Sequence, residues 1–128
     1  MTPGSGGLYL DHYQGDYKIE PVTIPSAPAY LSRTYNYEPV PDTIKSLGLE
    51  KHILGVQCNN WSEYMYTNAK MEYQMYPRSL ALAEIAWSPA KKKNFTDFAR
   101  RVDANSVRLD ERHVRYHIPL PEQPYGSC

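Results

Sequence analysis

The run Ile53-Leu54-Gly55-Val56 sets the first constraint on this chain. It is short, apolar and partly β-branched, the composition of a strand buried on both faces, as in a parallel sheet. Directly after it the residue types change to Gln57, Asn59, Asn60, Trp61, Ser62, Glu63 and Tyr64. An apolar strand that opens onto amides, an indole and a carboxylate is how an α/β enzyme builds a site at the carboxyl ends of its strands. Alternation puts Gln57, Asn59 and Trp61 on one face, and Cys58 and Asn60 on the other. Tyr76-Pro77-Arg78 then starts a helix, with Pro77 suited to the first turn. From Leu80 to Trp87 that helix is apolar on every side except at Glu84, which predicts burial all round. A buried Glu84 requires a partner, from Arg78 or another basic residue.

Composition removes several function classes. The 128 residues carry a formal net charge of zero, and no sustained basic stretch offers a nucleic-acid surface. Lys91-Lys92-Lys93 reads as a solvated segment between two helices. No apolar stretch approaches the roughly 18 residues of a membrane span, and the amino terminus lacks the basic region and apolar core of a signal peptide. Tyrosine is unusually frequent, 12 residues against 2 phenylalanines. In proline-punctuated loops such rings can stack on sugar faces while their hydroxyls bond sugar hydroxyls; lining ordinary loop surface accounts for most of them. Cys58 and Cys128 form no disulfide framework and are expected to be free thiols.

Around the central stretch the chain reads as loops and short helices. Leu8 to Asp11 suits a short extended segment after a glycine-rich start. Pro21, Pro25, Pro28, Pro39 and Pro41 exclude a long helix from residues 16–41 and mark a long loop on the site side, with room for a helical turn around Ala29–Thr34. Asp42 is the expected N-cap of a short helix stopped by Gly48. Asn94 caps a later helix whose inward face carries Phe95, Phe98 and Val102. Asp103 to Arg112 is expected to form a further helical stretch with Val107 and Val114 packed inward, and the tail from His113 is extended and proline-rich. His113 and His117 stand four apart but have no third ligand nearby, so no metal site is expected.

Two linked motifs carry a specific resemblance. GVQCNNWSEY (55–64) and PRSLALAEIAWS (77–88) are similar to the "G-x-Q-x-N-x-W-x-E-Y" strand end and the "P-R-x-x-A-x-A-E-x-x-W-S" helix of glycoside hydrolase family 20, the β-N-acetylhexosaminidases. Tyr9-Leu10-Asp11 resembles the family's "Y-x-D" element, and the end of the proline-rich loop resembles a family loop. The resemblance spans residues 1–118. It implies an α/β fold: the C-terminal portion of a (β/α)8 TIM barrel, about its last three strand–helix units and incomplete as given, since a whole barrel takes about 250 residues. The single partial catalytic domain, 1–128, then divides into a strand end and active-site loop (1–41), a strand with the Trp/Glu site and its buried helix (42–88), and C-terminal helices with an extended tail (89–128).

The resemblance also implies roles. Family members let the substrate's own acetamido carbonyl oxygen attack the anomeric carbon, an exception to the two-carboxylate scheme. Tyr9 would donate its hydroxyl to that oxygen, steadying the developing charge. Asp11 and Glu63 would accept hydrogen bonds from hydroxyls of the terminal sugar, at O6 and O4 respectively. Trp61 would wall the sugar ring, Gln57 and Asn59 would support the site from behind, and Tyr64 would lie at its rim. Arg78, Glu84 and Trp87 are read as structural, Trp87 as a helix-face packing residue. The family's Asp-Glu acid pair precedes its "Y-x-D" element, whereas Asp110-Glu111 here follows both motifs and cannot fill that role. The expected function is therefore part of a hexosaminidase acting on terminal β-linked N-acetylglucosamine or N-acetylgalactosamine, with the isolated chain inactive. The alternative is a non-catalytic relative that binds sugar or completes a barrel with another chain. No cofactor is implied. The expected partners are N-acetylhexosamine-containing glycans and a further copy or the missing part of the barrel, not nucleic acid or membrane. By resemblance the location would be periplasmic or secreted.

Overall fold

The structure, a computed structural model, describes residues 7–119. Within them lie helices α1 (Leu31–Asn36), α2 (Asp42–Ser46), α3 (Asn68–Met75), α4 (Arg78–Trp87) and α5 (Phe95–Glu111), with 3-10 turns at Glu50–His52, Ser62–Tyr64 and Ala90–Lys92. β-Pairing among the described residues is confined to one parallel bridge, between Tyr9 and Asn59. The Asn59 amide donates to the Leu8 carbonyl at 2.9 Å, and the Leu10 amide donates to the Asn59 carbonyl at 2.7 Å.

The core forms where α1, α4 and α5 meet. Leu31, Tyr35, Ala81 and Phe98 are buried together, with Leu80, Phe95 and Val102 packed against them. Tyr35 stacks on Phe98 with centroids 4.6 Å apart and meets Phe95 edge-on at 5.4 Å. Its hydroxyl accepts the Asn94 amide at 2.7 Å, which fastens α1 to the start of α5. Asn94 caps α5 as expected, its side chain accepting the Asp97 amide at 3.0 Å. The proline-rich loop is pinned to the start of the chain around α1: Thr34 donates its hydroxyl to the Gly7 carbonyl at 2.6 Å, and the Ala29 amide reaches the Tyr13 carbonyl at 2.7 Å. Gly7 sits at φ 75°, and a Cβ there would meet the Thr34 amide nitrogen at 3.2 Å, so only glycine fits without strain.

Several expectations are corrected. Ile53–Val56 forms no ladder, and Leu54 is 97% exposed. A strand is buried only when neighbours pair with it and helices cover it, and the described residues pair only at Asn59, beyond the run's end. The helix α4 is not buried all round: Arg78, Ala81 and Ile85 are its buried residues. Trp87 is 89% exposed and packs no helix face here. An apolar pattern reports what a surface needs, not which chain covers it. Asp42 is the first residue of α2, after Pro41, rather than its cap. The stretch from Asp103 is not a separate helix but the continuation of α5. Val107 is exposed and Leu109 buried; at about 100° per residue, Leu109 lies about 20° from Phe98 around the axis while Val107 lies roughly opposite. The helix α3 was not expected. Its signal was Thr67, whose side chain accepts the Lys70 amide at 3.1 Å, ahead of a run of good helix formers.

The chain after α5 returns to the α3–α4 junction. The His117 amide donates to the Tyr76 carbonyl at 3.1 Å, and its Nδ1 lies 2.9 Å from the Tyr73 hydroxyl. Burial, and then the charge of Arg78, push His117 down to about 4.

Two outcomes follow. Leu109→Ala should destabilise the chain by about 2–4 kcal/mol in urea unfolding, whereas Val107→Ala should stay within about 0.5 kcal/mol; equal effects would contradict the helix register. For His117 the folded chain holds the neutral ring, and the unfolded chain binds a proton below its ordinary value of about 6.5. The contribution is thus intact above that pH and lost as pH falls from about 6.5 to about 4, by no more than about 3 kcal/mol. His117→Gln should flatten the fall in stability across that window, and an unchanged slope would assign the titration to another group.

Candidate functional site

Pairing Tyr9 with Asn59 brings two distant stretches of sequence to one edge. Leu8 and Leu10, on either side of Tyr9, are buried at 0% and 1% exposure, and Tyr9 between them is half-buried. Asp11 follows at 1% exposure. On the partner stretch the Gln57 side-chain Nε2 donates to the Asn59 side-chain oxygen at 3.5 Å, consistent with the expected alternation. Trp61, 54% exposed, immediately precedes the turn Ser62–Tyr64. Glu63 is exposed and lines an open groove with Ile24, Pro25, Tyr64 and Tyr66, so the proline-rich loop contributes to the surface around it.

The chemistry concentrates on Asp11. Both its carboxylate oxygens are buried and unpartnered within the protein. A buried carboxylate without hydrogen bonds is strongly unfavourable unless charge compensates it or a ligand satisfies it. Only its main chain is engaged: its carbonyl accepts the Thr23 hydroxyl. His12 beside it is pushed down by burial, with the Asp11 charge opposing.

Compensation comes from Arg78, which is 0% exposed. It donates to the Ala29 carbonyl at 3.2 Å, to the Gln74 carbonyl at 2.8 Å and to the Leu10 carbonyl. One side chain thus ties the strand end, the end of the proline-rich loop and the last turn of α3. Burial pulls Arg78 down to about 10, while Glu20 and Asp11 oppose it; it remains a cation at neutral pH. Arg78 is not the partner of Glu84. That partner is Arg101, which donates to the two Glu84 oxygens at 3.0 and 2.6 Å and to Asp97 at 2.9 Å. Both Glu84 oxygens are thereby engaged in an ion pair.

Behind Arg78 lies a polar group that sequence reasoning missed. The Gln14 side chain donates to the Tyr73 carbonyl at 2.6 Å, and the Gln14 amide donates to Glu20 at 3.0 Å. Burial, reinforced by Glu20, pushes the Tyr73 hydroxyl well above its ordinary range. Gln74 is fully buried beside Arg78. Asn60, on the face opposite Asn59, also has both side-chain polar atoms buried and unpartnered. No spacing rule joins Gln14 to Tyr73, because they lie 59 residues apart. Cys58 is a free, half-buried thiol, pushed up by burial; Cys128 lies outside the described residues. Among the described residues no group of three or more His, Cys, Asp or Glu side chains could hold a metal ion, and Asp110 accepts the Tyr116 hydroxyl at 3.1 Å on the exposed side of α5.

The sequence profile described as "Glycosyl hydrolase family 20, catalytic domain" matches residues 1–90, the stretch that holds both the bridge and Arg78. This chain belongs to glycosyl hydrolase family 20. Among family relatives, it is 57% identical over 129 residues to a β-hexosaminidase of Porphyromonas gingivalis, matching 99% of this chain and 16% of that protein. It resembles the family 20 exo-β-N-acetylglucosaminidase of Vibrio harveyi, solved in complex with N-acetylglucosamine, with a TM-score of 0.81 and 32% identity over 92% of this chain and 18% of that one. The Streptomyces coelicolor family 20 β-N-acetylhexosaminidase shares the fold, with a TM-score of 0.74 at 20% identity, over 93% of this chain and 23% of that one. The chain thus spans less than a quarter of the length of each of these family 20 barrel enzymes.

Arg78 and Arg101 should separate in a stability assay. Arg78→Met leaves buried carbonyls and carboxylates uncompensated and should lose about 3–5 kcal/mol. Arg101→Met breaks a partly exposed pair and should lose about 1 kcal/mol or less. Equal losses by thermal unfolding would refute the burial contrast.

Proposed function

We propose that this chain is the C-terminal part of a family 20 barrel, about its last three strand–helix units, and that it carries half of an N-acetylhexosamine pocket. The observation that carries this reading is the buried, unpartnered Asp11 carboxylate beside a parallel bridge that joins the two motif-bearing strand ends. In this reading Tyr9 donates its hydroxyl to the acetamido oxygen as that oxygen attacks the anomeric carbon, which needs a fixed donor where charge develops. Asp11 and Glu63 accept hydrogen bonds from sugar hydroxyls, for which carboxylates are strong acceptors. Trp61 presents its half-exposed indole to the ring. Gln57 and Asn59 hold the strand end that carries it.

The acid that protonates the leaving oxygen is not assigned to any residue of this chain. Asp110 and Glu111 are exposed at the end of α5, and Glu84 is paired with Arg101. The chain alone is therefore proposed to lack turnover and to act once another polypeptide segment supplies the acid pair. The 97% exposed Leu54 and 89% exposed Trp87 favour such completion, since apolar surface of this kind calls for a cover.

The test is a transplant. These residues replace the matching stretch of the P. gingivalis β-hexosaminidase, and hydrolysis of a chromogenic N-acetylglucosaminide is followed. Turnover should persist, and both Tyr9→Phe and Trp61→Ala should lower kcat/KM by at least about tenfold, the scale of one transition-state interaction. A folded transplant with no turnover, or two variants without effect, would sink the reading.

A further inference from the structure

The structure contains two arginine–carboxylate arrangements of opposite design. Arg101 and Glu84 form a closed pair in which both carboxylate oxygens are occupied. Arg78 and Asp11 are also electrostatic partners, yet the guanidinium sends its hydrogen bonds to the carbonyls of Leu10, Ala29 and Gln74 and to the Gln74 side-chain oxygen at 3.4 Å. Asp11 keeps both oxygens free although it is 1% exposed. Charge reaches the carboxylate without using any of its acceptor positions.

A guanidinium whose only task was to neutralise Asp11 would fork onto it, the preferred geometry of an arginine and a carboxylate. Here the fork is used on the backbone instead, and one of its targets, the Leu10 carbonyl, belongs to the residue before Asp11. The cation therefore fixes the main chain that aims the carboxylate and offsets the unfavourable burial of its charge at the same time. We propose that Arg78 is a positioning residue for sugar-hydroxyl recognition, acting through Asp11, which it holds in place and compensates while leaving both carboxylate oxygens open to the ligand. This deepens the sugar-site reading above and rests on it.

A merely structural arginine and a positioning arginine differ in how their loss combines with loss of Asp11. Contacting groups that act as one unit give non-additive effects, and a double-mutant cycle measures this. In the transplanted hexosaminidase, kcat and KM for the chromogenic N-acetylglucosaminide are measured for Asp11→Asn, Arg78→Gln, Arg78→Lys and each double variant. Thermal unfolding of every protein is recorded alongside. Arg78→Gln should lower kcat/KM on the order of tenfold beside native Asp11 and by less than about twofold in the Asp11→Asn background. Arg78→Lys, which keeps the charge, should recover part of the loss; should the glutamine variant fail to fold, the lysine variant carries the cycle.

Equal losses in both backgrounds would overturn the proposal and leave Arg78 as scaffold alone, with the sugar site intact. An Asp11→Asn variant with unchanged kcat/KM would overturn the sugar-site reading, and the proposal with it.

Discussion

A single buried cation organises this part of the molecule. Arg78 has no access to solvent, and it draws carbonyls from a strand end, a loop end and a helix end onto one guanidinium. Other hydrogen bonds join the same segments in pairs, Gln14 to Tyr73, Thr23 to Asp11 and Lys70 to Pro21, but the guanidinium reaches all three at once. A residue that is always charged and carries five donors in a rigid fork is suited to this task, and lysine is not. The negative charges that make its burial tolerable, Glu20 and Asp11, come from the proline-rich loop and the strand end. The loop, the edge that bears Tyr9 and the helix pair α3–α4 are therefore interdependent. Disturbing any one of them disturbs the charge balance of all.

The same logic separates structure from function within one chemistry. Glu84 and Asp11 are both carboxylates near arginines. Glu84 meets its arginine edge to edge on a partly exposed surface, where such pairs add modestly to stability. Asp11 is fully enclosed and left without a protein donor. Such an arrangement costs stability, which is the mark the proposed sugar-binding role of Asp11 would leave.

What could be read from the sequence was what lies on local rules. The spacing of Phe95, Phe98 and Val102 gave the buried face of α5. Asn94 was legible as a cap because capping is settled within four residues. The partner of Glu84 was not legible, since Arg101 lies on a different helix. Nor was the depth of Arg78, whose environment is assembled from residues between Leu10 and Gln74. The exposure of Trp87 and Leu54 was illegible for another reason: an apolar pattern specifies burial without specifying by what. Val107 was misplaced by treating every apolar residue as inward instead of following the helical phase from Phe98.

The bridge between Tyr9 and Asn59 has a mechanical consequence. It fastens two extended stretches at one point and leaves the Ile53–Val56 run without a ladder. The assembly is like a pair of tongs riveted at the tips. New neighbours can be laid along the open shanks without changing how the tips face each other. A segment built this way transfers between proteins as one piece, with the relation between its two bridged stretches already set.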